Sequence, residues 1–143
     1  MKNIVIGSDH TGVELKSFLK DYLISQQYNV IDVGTNNNFS CDYPDIAASV
    51  ANYINKNSDV FGILICGTGL GMSIAVNRYS FIRGTILYND DVAKLAREHN
   101  DANVAIFGAR MFTNERNLHF LKIFLSSNFS GEERHKQRIS KIS

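Results

Sequence analysis

The stretch from residue 63 to residue 73, ILICGTGLGMS, combines the main signal for the fold with the main signal for chemistry. An apolar run ending at Cys66 is typical of a buried β-strand, and three glycines at alternate positions lead into a helical segment. In α/β proteins, ligands bind beyond the carboxyl ends of the strands. Cys66 therefore stands where a functional residue is expected, although a small core residue beside a tight turn explains the pattern equally well.

The remainder of the chain repeats this alternation of strand and helix. Short apolar runs lie at 4–6, 30–33, 60–65, 82–87 and 104–107. Between and after them, apolar residues follow helical spacing at 15–22, 47–54, 92–96 and 118–125. This order predicts an α/β fold with right-handed crossovers: a three-layer, Rossmann-like open sheet of five parallel strands with helices on both faces. Pro44 is expected to begin the second helix, and the charged segment 132–139 is predicted to form a tail helix extending off the domain.

Length and composition limit the class of protein. A chain of 143 residues predicts a single domain over 1–143, since about 150 residues is a usual domain length. The net charge of +1 indicates no nucleic-acid partner and no anionic membrane surface. No apolar run reaches the ~20 residues that span a bilayer, and the run 4–6 is too short for a signal peptide. Two cysteines without C-x-x-C spacing, Cys41 and Cys66, favour free thiols in the cytoplasm, and the purpose of Cys41 is unknown.

The glycine loop matches none of the common phosphate-binding motifs. Its G-x-G-x-G spacing differs from the dinucleotide fingerprint, and Ile86 stands about 20 residues further on, where that fingerprint needs an acidic residue. The Lys-Ser/Thr ending of a P-loop is absent, and a phosphatase-type Cys-x5-Arg loop would need arginine in place of Met72. The loop does offer the backbone amides of 67–71, which can stabilise a developing anion and a neighbouring thiolate.

Polar residues near other strands are further candidates. Asp9 and His10 follow the first strand, where a helix cap and a surface histidine are the alternative interpretation. His99 lies on the apolar stripe of its helix, where a core histidine is the ordinary explanation. The end of that crossover helix returns to the amino ends of the strands, opposite Cys66. Both residues can belong to one site only if a second chain supplies one of them.

Three arginines are candidates for anion binding. Arg110 follows the fifth strand and is expected at the carboxyl edge of the sheet. Arg134 and Arg138 share one helix face and could grip a phosphate, with a solvated helix face as the alternative. No cluster has metal-ligand spacing, so neither a metal nor a cofactor is predicted.

Several motifs in a fixed order extend this interpretation over essentially the whole chain. They are GSDHTG, DVGT, DYPD, ICGTGLGMSIAVNR, REHNDANV, FGAR and the arginine-bearing tail. With them the chain resembles ribose-5-phosphate isomerase type B, of the family that includes galactose-6-phosphate isomerase subunits. The resemblance implies an aldose–ketose isomerase acting on D-ribose 5-phosphate and D-ribulose 5-phosphate through an enediolate. It also implies a homodimer or tetramer with sites shared between subunits. An isomerase of allose or galactose 6-phosphate, and a non-catalytic nucleotide-binding flavodoxin-like module, are the alternatives.

The resemblance also implies a role for each candidate residue. Cys66 would be the general base, since position 75, a carboxylate in some relatives, is alanine here. Thr68 would assist it, and His99 would open the furanose ring with help from Asp9. The substrate contacts would be Asp9, His10, Tyr43, Gly67, Thr68, Gly69, Leu70, Gly71, Asn100, Arg110, Arg134 and Arg138. Within that set, the amides of 67–71 would hold the enediolate, and His10 with the three arginines would bind the phosphate.

Overall fold

The computed structural model describes residues 2–142 and contains, within them, five strands and six helices. The strands are β1 (Asn3–Ser8), β2 (Asn29–Asp32), β3 (Val60–Cys66), β4 (Gly84–Ile86) and β5 (Val104–Gly108). The helices are α1 (Val13–Ser25), α2 (Tyr43–Lys56), α3 (Leu70–Val76), α4 (Asp90–Glu98), α5 (Asn114–Ser126) and α6 (Glu133–Ser140). A short 3₁₀ turn, His10–Gly12, leads into α1.

The strands form one parallel sheet in the order β2-β1-β3-β5-β4. This confirms the predicted five-stranded parallel sheet. Because β1 lies between β2 and β3, the chain leaves β1 toward one side and later returns to its other side. The carboxyl ends of β1 and β3 therefore flank a switch point, where open α/β sheets bind ligands.

Both faces of the sheet are covered, as the short apolar strands predicted. In β1, Ile4 and Ile6 pack in the cluster formed with α1, α4 and α5, whereas Val5 packs in the cluster formed with α2 and α3. Fully burying one such side chain contributes about 1.5–3 kcal/mol. Cys66 belongs to the α2 and α3 side, which places its sulfur beside the start of α3.

Two boundaries show how local contacts modify the pattern. Pro44 lies in the first turn of α2, as predicted. The strand predicted over 82–87 is shorter, Gly84–Ile86, because Ile82 closes a turn by donating its N–H to the Tyr79 carbonyl at 3.0 Å. Within residues 2–142, no helix combines the length and the apolar character needed to cross a membrane.

The predicted apolar stripe of α4 is wrong in its orientation. Ala93, Ala96 and Arg97 are the buried residues of this helix, while Leu95 is 38% exposed. Arg97 can be buried because its guanidinium stacks over the Phe61 ring at 4.7 Å and donates to the Ala102 carbonyl at 2.7 Å. His99, four residues after Leu95, consequently lies off the core-facing side and is half-buried.

The predicted tail helix is present as α6, but it packs on the domain instead of extending away from it. His135 is only 5% exposed, and its ring stacks on the ring of His99 with 4.2 Å between centroids. The charged composition of the segment hid this contact, because one buried histidine gives no periodic apolar signal.

Candidate functional site

Three loops meet at the carboxyl edge of the sheet. The N–H of Asp9 donates to the Ile65 carbonyl at 3.1 Å, which ties the end of β1 to the end of β3. The N–H of Arg110 donates to the Gly67 carbonyl at 2.9 Å, which ties the segment after β5 to the glycine loop. The parallel register thus brings together Asp9, Cys66 and Arg110, as the sequence predicted.

Cys66 ends β3 with its side chain buried, at 5% exposure. Its Sγ accepts a hydrogen bond from the Gly69 N–H at 3.1 Å. Gly69 has φ +83°, a left-handed conformation that favours glycine and folds the loop back toward the sulfur. The sulfur is therefore oriented by a backbone donor of the loop, and the thiolate is the form of a cysteine that can accept a proton.

The backbone amides around this sulfur can stabilise a second negative charge. Among residues 2–142, the amides of Gly67 and Thr68 donate to no acceptor. Thr68 is exposed, and its hydroxyl oxygen accepts the Leu70 N–H at 3.2 Å. The Gly71 N–H lies in the first turn of α3, where helix amides lack partners within the helix. The loop can therefore act as an oxyanion site next to a base.

Two side chains lie over the glycine loop. A Cβ built on Gly71 would lie 2.6 Å from atoms of the Tyr43 ring, and one on Gly67 would lie 3.3 Å from Nη1 of Arg110. Tyr43 comes from the first turn of α2, and Arg110 from the segment after β5. The absence of side chains at these two glycines permits Tyr43 and Arg110 to approach the loop.

Asp9 and His10 complete the carboxyl edge. Asp9 is 7% exposed, and its Oδ1 accepts the Thr11 N–H at 2.9 Å, so the carboxylate does cap the turn that leads into α1. His10 is half-buried, and its Nδ1 accepts the N–H of Cys41 at 3.3 Å. Because an amide only donates, this contact fixes Nδ1 as the acceptor, and Nε2 carries the proton of the neutral ring.

Four other candidates lie at the opposite, amino edge of the sheet. His99 and Asn100 directly precede β5, where the Asn103 carbonyl accepts the N–H of Gly62 near the start of β3 at 2.9 Å. The four residue steps from Gly62 to Cys66 span about 13 Å of strand. Arg134 and Arg138 are exposed on α6, whose His135 stacks on His99. Within one chain, the structure thus separates His99 from Cys66, as the crossover geometry predicted. The four candidates at the amino edge are therefore His99, Asn100, Arg134 and Arg138.

The electrostatics of the amino edge favour a neutral histidine beside cations. Burial lowers the pKa of His135, and the neighbouring His99 and Arg134 lower it further. Arg134 donates through Nε to Glu132 at 2.9 Å, and this contact lowers the pKa of the Glu132 carboxyl. Arg138 stands one turn after Arg134, so both guanidinium groups face solvent from the same helix face.

The turn that carries His99 and Asn100 is held by two arginines that sequence reasoning missed. Arg83 donates through Nε to the Asn100 carbonyl at 3.0 Å and through Nη2 to the Asp101 carbonyl at 2.9 Å. Arg97 donates to Oδ1 of Asp101 at 2.8 Å. The i, i+4 spacing of Arg97 and Asp101 is visible in the sequence, whereas the contact from Arg83 is long-range.

A buried ion pair behind β1 also escaped sequence reasoning. Lys16 is 2% exposed, and its Nζ lies 2.8 Å from Oδ1 of Asp32. Burial lowers the pKa of the Lys16 amine, and the hydrogen bond and charge of Asp32 oppose this. Burial alone raises the pKa of Asp32, but hydrogen bonds from Lys16, Lys20 and the Gly34 amide outweigh it, and the net pKa is lowered. We treat both groups as charged because the ammonium has oxygen acceptors for its donors.

Candidate residues line an open groove at each edge, Thr68 and Leu70 at the carboxyl edge and Asn100 at the amino edge. A cavity of about 430 Å³ at the amino edge is lined by Phe61, Arg83 and Arg97 but not by Cys66. A groove of about 330 Å³ beside the glycine loop is largely apolar, with Leu70 60% and Met111 58% exposed. In the part of the chain that the structure describes, no three His, Cys, Asp or Glu residues are placed to hold a metal ion.

The chain is similar to known proteins over nearly its full length. Residues 4–142 match the family described as Ribose/Galactose Isomerase. Over 142 residues the chain is 39% identical to ribose-5-phosphate isomerase B of Escherichia coli strain K12, covering 99% of this chain and 95% of that one. It is also similar to the crystal structure of a ribose 5-phosphate isomerase from Thermotoga maritima, with a TM-score of 0.95, 46% identity, and coverage of 99% and 97%.

A third comparison includes a ligand. The crystal structure of ribose-5-phosphate isomerase B from Mycoplasma genitalium, with bound ribulose-5-phosphate, matches with a TM-score of 0.93 and 42% identity, covering 98% of this chain and 93% of that one. Identity at this level over the full fold, together with the family match, shows common descent. The chain belongs to the ribose/galactose isomerase family.

Proposed function

We propose that this protein interconverts D-ribose 5-phosphate and D-ribulose 5-phosphate, with Cys66 as the base. The observation that carries this proposal is the buried Cys66 sulfur, which accepts the Gly69 N–H at 3.1 Å. Beside it, the amides of Gly67 and Thr68 have no acceptor among residues 2–142. The substrate class rests on relatives named ribose-5-phosphate isomerase B, one of which binds ribulose-5-phosphate.

The reaction needs one proton to move between two carbons. The Cys66 thiolate removes the proton from C2 of the open-chain aldose, the C1–C2 double bond forms, and the charge develops on O1. The amides of Gly67, Thr68 and Gly71 stabilise that oxyanion. The thiol returns the proton to C1, while the O2 proton passes to O1 with the Thr68 hydroxyl as relay, leaving the C2 ketone. A positioned base typically contributes 10²–10⁴-fold, and one oxyanion donor about 10²–10³-fold.

The substrate enters as a closed furanose, so a proton must also reach the ring oxygen. We assign this step to His99 of the partner subunit, with Asp9 taking the proton of the O1 hydroxyl. One oxygen of Asp9 caps the turn through the Thr11 N–H, and its second oxygen, Oδ2, is the acceptor we assign to this proton.

The site is proposed to form between two copies of this chain, in a homodimer. The separation of His99 from Cys66 along β3 requires a second chain if both act on one sugar. Exposed apolar side chains support the idea on both edges: Leu70 and Met111 beside the glycine loop, and Leu95 one turn before His99. Apolar surface of this kind is typical of protein interfaces.

Phosphate binding would use both subunits. His10 donates its Nε2–H and Arg110 lies across Gly67, while Arg134 and Arg138 would come from α6 of the partner subunit. A phosphate held far from the reacting carbons provides binding energy that can fix C1 and C2 against the base. Free Cys41 and Cys66 thiols fit a reducing compartment, and we place the enzyme in the cytoplasm.

A coupled assay that compares ribose 5-phosphate, allose 6-phosphate and galactose 6-phosphate tests the function. The proposal predicts the highest kcat/KM with ribose 5-phosphate. Preference for a six-carbon substrate would replace the substrate assignment, and the absence of turnover with all three would favour a non-catalytic binding module.

A further inference from the structure

Lys16 is a buried charged residue that the proposed reaction does not use. Its ammonium carries three donors and meets three oxygens: Oδ1 of Asp32 at 2.8 Å, Oδ1 of Asn36 at 2.7 Å, and the carbonyl of Thr35. Burying a charge at 2% exposure is costly unless every donor is satisfied, and here each donor has an acceptor. Two of the three oxygens belong to the segment between β2 and α2, residues 33–42, which we name the β2–α2 loop.

The β2–α2 loop reaches the candidate site at its far end. Near its start, the Thr35 N–H donates to the Ser8 carbonyl at 2.7 Å, directly before Asp9. Near its end, the N–H of Cys41 donates to Nδ1 of His10 at 3.3 Å. Residues 36–40 between these contacts are exposed. Lys16 therefore anchors a loop whose other end sets the orientation of His10.

The Cys41 contact determines which nitrogen of His10 can bind an anion. With Nδ1 accepting, the neutral ring keeps its proton on Nε2, which is the donor that a phosphate oxygen needs. If the loop shifts, Nδ1 loses its donor, and the ring is free to rotate or to change tautomer. We infer that Lys16 is a positioning residue that fixes the tautomer and orientation of His10 for phosphate binding. This inference rests on the proposed phosphate role of His10.

A pair of lysine variants separates this role from simple loss of charge. Lys16→Met and Lys20→Met each remove one ion pair with Asp32, at 2.8 Å in both cases, but only Lys16 also contacts the loop. We expect Lys16→Met to raise KM for ribose 5-phosphate about 10- to 100-fold with a smaller change in kcat. Lys20→Met should change KM less than about fivefold, the range of a partly exposed ion pair.

The tautomer of His10 gives a readout that is independent of activity. Two-bond ¹H–¹⁵N correlation spectra of the folded proteins, with the His10 signal assigned from a His10→Gln variant, should show the proton on Nε2 in the wild type and in Lys20→Met. In Lys16→Met we expect a mixture of tautomers or exchange broadening. An unchanged His10 signal together with an unchanged KM in a folded Lys16→Met protein would overturn the inference.

A milder pair of variants decides the question if Lys16→Met does not fold. Asn36→Ala removes one loop acceptor of Lys16, whereas Asn38→Ala changes the same residue type two positions away in the exposed part of the loop. We expect a partial loss of the Nε2–H tautomer in Asn36→Ala only, and equal spectra in the two variants would contradict the inference. If the wild type proves inactive on every sugar phosphate, the proposed function fails, but the spectra still report whether Lys16 controls His10.

Discussion

The two edges of the sheet position their candidate residues in different ways, one mainly through backbone groups and the other mainly through side chains. At the carboxyl edge, a buried thiol lies among backbone amides of a glycine loop, and the geometry depends on the left-handed conformation of Gly69. At the amino edge, side chains hold the candidate residues: the His99 ring stacks on the His135 ring. Arg83 and Arg97 donate hydrogen bonds to Asp101 in the turn that follows. One edge carries the thiol and amides that we propose as base and oxyanion site, and the other carries the histidine that we propose as the acid, together with exposed arginines.

In the proposed reaction, neither edge alone is a complete site. A base without a ring-opening acid would act only on the small open-chain fraction of an aldose, and an acid without a base would not isomerise it. The exposed Leu70, Met111 and Leu95 side chains flank the two edges, where a second copy would cover them. If the two edges contribute separate steps to one reaction, substitutions at each edge should impair different steps.

The largest expected effect comes from removing the thiol. Cys66→Ser should lower kcat about 10²- to 10⁴-fold, the contribution of a positioned base, because a hydroxyl is a far weaker acid than a thiol. Ribulose 5-phosphate should still bind, but solvent deuterium should no longer enter it at C1, as measured by NMR in D₂O. Cys41→Ser is the matched control and should keep both the wild-type kcat and the wild-type rate of deuterium exchange. Undiminished exchange in Cys66→Ser would exclude the sulfur as the base.

The second prediction separates ring opening from proton transfer. His99→Asn should lower the turnover of cyclic ribose 5-phosphate about 10²-fold. Deuterium exchange into ribulose 5-phosphate should fall less, because the ketose cannot close a furanose ring and reaches the enediolate without the acid. His119→Asn changes an exposed histidine on α5 and serves as the control. Equal losses in turnover and exchange would argue against a dedicated role for His99.

The third prediction concerns the arginines of α6. Arg134→Ala combined with Arg138→Ala should raise the Kd for ribulose 5-phosphate about 10²- to 10⁴-fold, since each of the two charge-assisted hydrogen bonds contributes about 1.5–3 kcal/mol. Binding of unphosphorylated ribulose should be unaffected. Lys136→Ala, an exposed residue of the same helix, controls for the loss of positive charge. Titration calorimetry that finds equal phosphate affinity in all three proteins would leave these arginines as a solvated helix face.

The last prediction concerns stability, not catalysis, and the pH dependence that the Asp32 ion pair gives it. The pKa of Asp32 is held below its usual 3.8, so the ionised carboxylate stabilises the fold above that pH and loses this contribution as the pH falls through the folded-state pKa. Asp32→Asn should lower the free energy of unfolding by about 3 kcal/mol near neutral pH. The difference from wild type should shrink below pH 3.8, as measured by urea unfolding, whereas exposed Asp21→Asn should show little difference at any pH.

The carboxyl edge was predictable because its signals are local in sequence. Strand ends, the glycine spacing after Cys66 and the dipeptide Asp9-His10 together located that edge. The crossover geometry also predicted that His99 lies at the opposite edge. These features follow from parallel strands, whose carboxyl ends share one edge.

The contacts that escaped prediction involve charged residues in buried positions. Lys16 is buried although lysine is ordinarily exposed on a helix. In α4, Arg97 and not Leu95 lies on the core-facing side. Arg97 reaches the core because Phe61 and the Ala102 carbonyl receive its guanidinium, and no periodic pattern encodes those partners. Sequence periodicity identifies apolar faces and gives no information about charges that are paired in the interior.

Subunit mixing tests most directly the claim that the two edges form one site between subunits. Cys66→Ser and His99→Asn proteins, each nearly inactive on ribose 5-phosphate, are unfolded together, refolded, and checked by native mass spectrometry for mixed dimers. Random pairing makes half the dimers mixed, and each mixed dimer has one intact site, so activity should recover to roughly a quarter of the wild-type value. Mixed dimers with no more activity than the two parents would contradict the account.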